Sequence, residues 1–146
     1  MLIKILEKYE FIIEKKQITN IWYNYKYFGV KIEYDNKIIK FYNKKFNIND
    51  FERVIIIYKT MLDFIIHINN SINNTFRHKC LGEDLDNDQW YYHNYKYAID
   101  YDINGINIYK RLSKNKYELF ENINYELINN KLINNENINF DRIKLN

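Results

Sequence analysis

The most chemically suggestive pair of side chains is Asp100 and Asp102, which lie two residues apart in a segment that alternates like a β-strand. Residues two apart on a strand project from one face of the sheet, so these carboxylates could hold a divalent metal for phosphoryl transfer. Tyr109 and Asn107 are expected on the same face, with Arg111 one step further along. Such a set is more often a solvated polar face, so a metal-dependent phosphoryl hydrolase is only an alternative hypothesis.

A second acidic group has the spacing that opens a calcium-binding loop. It consists of Asp84, Asp86 and Asp88. However, Gln89 stands at the sixth position, where the loop needs glycine for its turn, and Tyr95 at the twelfth, where it needs a bidentate glutamate. We therefore interpret the three aspartates as a solvated acidic loop or an acidic interaction patch.

His78, Cys80 and His93 could bind a transition metal, and Cys80 could act as a nucleophile with either histidine as its base. Structural zinc sites usually present two closely spaced ligand pairs, which this sequence lacks. No third group is placed to orient a catalytic base. We therefore expect no resident metal, no cofactor and no enzymatic activity.

The three glycines of the chain are widely separated, at positions 29, 82 and 105. A Walker A loop and a dinucleotide-binding fingerprint both need clustered glycines, because the backbone must approach a phosphate closely. The sequence therefore excludes both motifs.

Charge is distributed unevenly along the 146 residues, which carry a net charge of +3. Residues 1–45 carry +5 and residues 80–103 carry −5. The chain also has 26 Ile, 24 Asn and 15 Tyr, residues that the codons of an AT-rich genome over-supply. Their abundance is therefore partly mutational bias, although a hydrophobic fraction of 47% still predicts a folded chain.

The length predicts a single domain over residues 1–146, and we expect neither a signal peptide nor a transmembrane span. Cys80 is the only cysteine, so an intrachain disulfide is impossible, which fits a reducing compartment. We expect a cytoplasmic protein without a membrane partner.

A long central helix over residues 49–76 is the strongest structural prediction. Asn49 is expected as its N-cap, with Glu52 completing a capping box. The apolar stripe that predicts this helix recurs at steps of three and four residues and consists of Phe51, Val54, Ile55, Tyr58, Leu62 and Ile65. Because Ile56, Ile57 and Phe64 widen this stripe, other elements must cover the helix on more than one side.

The remaining pattern predicts an α+β fold in which antiparallel strands surround the central helix. An N-terminal amphipathic helix of about fourteen residues is expected first. In chain order there follow a strand over residues 21–28 bent at Gly29, a hairpin turning at Asp35-Asn36, an irregular loop over residues 77–89, a second antiparallel hairpin sheet turning at Asn104-Gly105 and a strand over residues 117–120. For the last part, a short helix over residues 121–133 followed by an extended tail is favoured, although Asn129-Asn130 and Asn134-Asn135 are typical of turns.

The basic first third supports nucleic-acid binding as another alternative. Aromatic rings there can stack on bases while ammonium groups meet phosphates. The rings are Trp22, Tyr23, Tyr25, Tyr27 and Phe28, and the ammonium groups that would matter are Lys26, Lys31 and Lys40.

Our main hypothesis is a small protein-binding module that inhibits another protein stoichiometrically. Small immunity proteins and phage-borne antagonists of host defence share this general character, and spare Tyr and Trp side chains make good interface anchors. An acidic loop would suit a basic target such as the nucleic-acid channel of a nuclease. The two expected partner-binding surfaces are the outward rings among Trp22, Tyr23, Tyr25 and Tyr27, and the loop Asp84, Asp86, Asp88 running into Trp90.

Overall fold

The structure is a computed structural model, and it describes residues 1–18, 20–24, 28–42, 44–71, 76–78, 90–92, 96–114, 116–140 and 143. Within these residues the fold is α+β, as predicted, with three α-helices and three antiparallel sheets. The described residues group into two compact units, one over Met1–Ile55 and one over the described residues from Ile56 onward. The prediction of a single domain over residues 1–146 stays a prediction.

The elements follow one another along the chain as follows. The helices are α1 (Leu2–Lys8), α2 (Phe51–Ser71) and α3 (Tyr125–Ile133). The strands of the first unit are β1 (Phe11–Ile13), β2 (Ile21–Tyr23), β3 (Phe28–Val30), β4 (Ile32–Asp35), β5 (Ile38–Phe41) and β6 (Lys44–Asn47). The strands of the second are β7 (Phe76–His78), β8 (Trp90–Tyr92), β9 (Tyr97–Asp102), β10 (Gly105–Ser113) and β11 (Lys116–Asn124).

The N-terminal helix is present but is half as long as predicted. It ends at Lys8, and Glu10 follows with a left-handed φ of 72°. Ile12 and Ile13, which were assigned to the helix, instead pair in β1 with Trp22 and Ile21 of β2. Their β-branched side chains suit a strand better than a helix, and the pairing with β2 decides the outcome.

The predicted strand over residues 21–28 is two strands, β2 and β3, that pair antiparallel with Tyr23 opposite Phe28. Asn24 directly after β2 has a φ of 55°, which asparagine tolerates better than most residues. The order in this sheet is β1-β2-β3. Its inner face is aromatic, since the rings of Phe11 and Tyr23 lie 4.9 Å apart.

The next sheet, in the order β4-β5-β6, has one apolar face and one charged face. The turn is Asn36-Lys37 instead of Asp35-Asn36, because Asp35 pairs with Ile38. Moving the turn by one residue shifts each cross-strand partner by two positions. Each side chain therefore stays on the same face of the sheet. Strand β6 was not predicted.

Helix α2 has the predicted apolar stripe, which is at most 2% exposed along its whole length. The predicted capping box is wrong. A 3₁₀ turn over Ile48–Asp50 precedes the helix. Asn47 caps this turn, because its side-chain oxygen accepts a hydrogen bond from the Asn49 N–H at 2.9 Å. The Glu52 carboxylate instead accepts hydrogen bonds from the Tyr9 hydroxyl at 2.7 Å and the Lys8 ammonium at 3.1 Å. The helix ends at Ser71, and Phe76 belongs to β7.

The second unit contains a five-stranded sheet in the order β11-β10-β9-β8-β7. Its inner face carries the fully buried side chains Tyr97, Ile99, Tyr101, Ile106, Ile108 and Ile123. The part of α2 in this unit packs on that face, with the rings of Tyr58 and Tyr101 edge to face at 5.2 Å. The predicted alternation of the second hairpin is therefore confirmed.

The turn of that hairpin lies one residue earlier than predicted, at Ile103-Asn104, because Gly105 pairs with Asp102. Gly105 has a φ of 147°, and a Cβ there would collide with the Ile123 carbonyl oxygen and lie 2.8 Å from the Asn124 Cα. The glycine is therefore needed for the close approach of β11, whereas the sequence suggested that it formed the turn.

The C-terminal part is a strand followed by a helix. Strand β11 continues to Asn124, whose side chain caps α3 by accepting the Leu127 N–H at 2.9 Å. The helix therefore begins four residues later than predicted and includes Asn129 and Asn130, while Asn134-Asn135 forms the predicted turn. Beyond it, the ring of Phe140 packs on Phe64 of α2 at 5.4 Å.

Candidate interaction surfaces

Trp22 lies on the outer face of the first sheet and is partly exposed. Gly29 stands opposite it on β3, and a Cβ at Gly29 would lie 3.1 Å from the Trp22 ring. Because glycine has no side chain, the indole ring of Trp22 can lie directly against the backbone of β3. Tyr23 faces the other way and is 3% exposed, so it packs in the core of its unit. The binding hypothesis for this strand consequently depends on Trp22.

The other predicted partner-binding residues can be located only in part. Tyr25, Tyr27, Asp84, Asp86 and Asp88 lie outside the described residues, as do Cys80 and His93. The backbone of Trp90 lies in β8, paired with His78 on one side and Ile99 on the other. These assignments stay predictions.

Asp100 and Asp102 lie on the outer face of the five-stranded sheet, as predicted, but their oxygens already accept hydrogen bonds. Asp100 accepts the Tyr101 N–H at 2.7 Å and Asp102 accepts the Asn104 N–H at 2.8 Å. The Asn107 amide donates to the second Asp102 oxygen at 3.5 Å. Among the described residues no group of three or more His, Cys, Asp or Glu side chains could hold a metal ion.

Tyr109 shares this polar face. Burial raises the pKa of its phenol, and the negative charges of Asp100 and Asp102 raise it further. The phenol therefore remains protonated at neutral pH. The arrangement is a hydrogen-bonded acidic surface with a neutral hydroxyl beside it.

The long strand β11 forms one edge of the five-stranded sheet and pairs, within the described residues, on one side only. An edge strand can accept a further strand through its outward backbone groups. Two apolar side chains of this strand are exposed, Leu119 at 58% and Phe120 at 40%, and Leu112 on the neighbouring β10 is 51% exposed. The sequence pattern does not indicate this surface, because the exposure depends on the place of β11 at the sheet edge.

A second unpredicted surface is a groove of about 840 Å³ over the β4–β5 hairpin. It is lined by residues 33–38 together with Lys40 and Lys45. We call it the hairpin groove. Lys40 stands directly opposite Glu33 on β4 and directly opposite Lys45 on β6, so these three residues share the outer face. The position of Lys45 depends on β6, which the sequence did not indicate.

None of the helices in the described part of the chain combines the length and the apolarity that crossing a membrane requires. Comparison of the chain with models of protein families, with curated proteins and with solved structures finds no match. The function must therefore be argued from these surfaces themselves.

Proposed function

We propose that this chain is a small protein-binding module that acts as a stoichiometric inhibitor of another protein, in the manner of immunity or anti-defence proteins. The observation that carries the proposal is the edge of β11, which pairs on one side only among the described residues and carries the exposed side chains Leu119 and Phe120. Protein-binding domains often use such an edge to add a partner strand to their sheet.

The geometry of β11 supports both main-chain pairing and side-chain contacts with a partner strand. The outward backbone groups of a nine-residue strand offer main-chain hydrogen bonds to an incoming strand. Leu119 lies opposite Tyr109, on the same face as the acidic pair, so it can supply an apolar contact beside polar groups. Main-chain pairing would give affinity and the side chains specificity.

The class of partner is suggested by charge. The segment over residues 80–103 carries a net charge of −5, and a basic target would be attracted to it. A nucleic-acid-processing enzyme such as a nuclease has a basic channel, which makes it the partner class that we propose. Localisation in the cytoplasm, where such enzymes act, belongs to the same proposal.

The test is capture of the partner from a lysate of the source cells by the tagged chain, with nuclease treatment of the lysate beforehand. We expect one protein to be retained at a fixed stoichiometry and its activity to be inhibited by the purified chain. Leu119→Glu should abolish retention. Ile133→Glu is the matched control, since Ile133 is 70% exposed on α3 and should tolerate the same change.

Two outcomes would count against this account. If wild type retains no protein after nuclease treatment, the proposed function is wrong. If Leu119→Glu retains the partner while replacement of Asp84, Asp86 and Asp88 by asparagine releases it, the partner binds the acidic segment and the role of β11 is refuted.

A further inference from the structure

We infer that the hairpin groove binds the phosphate backbone of a single-stranded nucleic acid through Lys37, Lys40 and Lys45. This site is separate from β11 and from the aromatic strand around Trp22, and it does not depend on the proposed inhibitor function. Its evidence is the register of the β4-β5-β6 sheet and the charges that this register brings together.

The sheet register places two lysines against each other. Lys40 and Lys45 are direct cross-strand partners on β5 and β6, so their Cβ atoms are about 4.5–5.5 Å apart. Like charges in this position destabilise a sheet. An anion bound between the two ammonium groups would remove that repulsion.

These lysines are available for a ligand. Within the part of the chain that the structure describes, Lys37, Lys40 and Lys45 form no ion pair. Glu33 stands opposite Lys40, but its carboxylate lies 3.8 Å from the ammonium of Lys31. The groove is therefore lined by three positive charges, together with the two negative charges of Glu33 and Asp35.

The other groups of the groove favour nucleic acid over an acidic protein. Ile38 is 49% exposed and shares the face of Lys40, so an apolar surface is available to bases. Glu33 and Asp35 can accept hydrogen bonds from the amino groups of bases.

The size of the groove supports the same occupant. About 840 Å³ is far more space than one phosphate group needs and lies within the range of sites that hold whole organic ligands. A short stretch of single strand, with its phosphates along the lysines and its bases against Ile38, satisfies both the charge and the volume.

The test is the fluorescence anisotropy of a labelled mixed-sequence oligonucleotide, as RNA and as DNA, titrated with the full chain at several salt concentrations. The informative variant is Lys40→Gln combined with Lys45→Gln. The matched control is Lys114→Gln combined with Lys116→Gln, which removes the same charge from exposed positions at the β10–β11 turn.

We expect the groove variant to weaken binding by at least about tenfold and to reduce the slope of log affinity against log salt by about 1.4, or roughly 0.7 for each phosphate contact on a single strand. The control should change both quantities by much less. Because the groove variant removes a like-charge pair, it should fold at least as stably as wild type, so its loss of binding would not reflect unfolding.

Three results would overturn the inference. If wild type binds no oligonucleotide at low salt, the hairpin groove is not a nucleic-acid-binding site. Equal losses in the two double variants would indicate a general charge effect. Binding of labelled polyglutamate through Lys40 and Lys45, without oligonucleotide binding, would assign the groove to an acidic protein.

Discussion

Replacing Gly105 by alanine tests the packing that holds β11 against the sheet. A methyl group there would collide with the Ile123 carbonyl oxygen and lie 2.8 Å from the Asn124 Cα. Both obstacles are backbone atoms of the neighbouring strand, so neither can rotate away. The substitution must therefore displace β11 or distort the hairpin.

The expected cost has two parts. A non-glycine residue at a φ of 147° carries about 1–3 kcal/mol of backbone strain. Overpacking against an unyielding neighbour adds roughly 1–3 kcal/mol. Together they give about 2–6 kcal/mol, a large share of the ~5–15 kcal/mol that stabilises a typical domain.

The assay is urea denaturation of wild type and variant, followed by far-ultraviolet circular dichroism. Gly29→Ala is the matched control. Its φ is not in the left-handed region, and its nearest obstacle is the Trp22 ring at 3.1 Å, a side chain that can shift. We expect the control to change the free energy of unfolding by less than about 1 kcal/mol, because alanine also restricts the unfolded chain. Equal effects at Gly105 and Gly29 would refute the close approach of β11.

Three further predictions concern the core, the loss of stability at acid pH, and the carboxylates of Asp100 and Asp102. Ile65→Asp should abolish folding in circular dichroism, because it leaves a carboxylate at a fully buried position at a cost of several kcal/mol, whereas Ile133→Asp should fold normally. Hydrogen bonds from the Tyr9 hydroxyl and the Lys8 ammonium hold the pKa of Glu52 below its ordinary value of 4.5. The stability that Glu52 contributes is therefore fully present above pH 4.5 and is lost as the pH falls through the lowered pKa. The free energy of unfolding of wild type should exceed that of Glu52→Gln by about 0.5 kcal/mol near neutral pH, and the two should converge in acid. A difference that stays constant with pH would contradict this. Asp100→Asn and Asp102→Asn should leave partner capture and inhibition intact, and a loss of activity with the fold preserved would instead favour the hydrolase.

The sequence predicts the central helix and the second hairpin well because each has a long periodic pattern. The stripe from Phe51 to Ile65 repeats over several turns, and its burial follows directly from the spacing. The alternation from Tyr97 to Tyr101 does the same for β9. In both elements local pattern and tertiary packing agree, so little outside information is needed.

Short elements could not be predicted because their pairing partners decide them. Phe11–Ile13 fits the helical period of the preceding residues as well as a strand, and only its pairing with β2 selects the strand. Strand β6 contains a single apolar residue, Phe46, and forms because β5 offers it an edge. The role of Gly105 depends in the same way on a strand that follows it in the chain.

The candidate surfaces were hard to predict for a related reason. Trp22 and Tyr23 are neighbours on one strand and both are aromatic, so the sequence does not say which ring faces inward. Pairing with β1 decides it by bringing Tyr23 against Phe11. The exposure of Leu119 likewise follows from the place of β11 at the sheet edge, which no local pattern encodes.

Salt dependence separates the two proposed interactions, because they use different forces. Binding of an oligonucleotide in the hairpin groove releases counterions, so its affinity should fall steeply as salt rises. A protein strand paired with β11 is held by main-chain hydrogen bonds and by Leu119, and charge on residues 80–103 would mainly affect its rate of association. The dissociation rate of the captured protein should therefore change little over the salt range that abolishes oligonucleotide binding. If both complexes dissociated with the same salt dependence, one electrostatic surface would explain both, and the assignment of separate surfaces would be wrong.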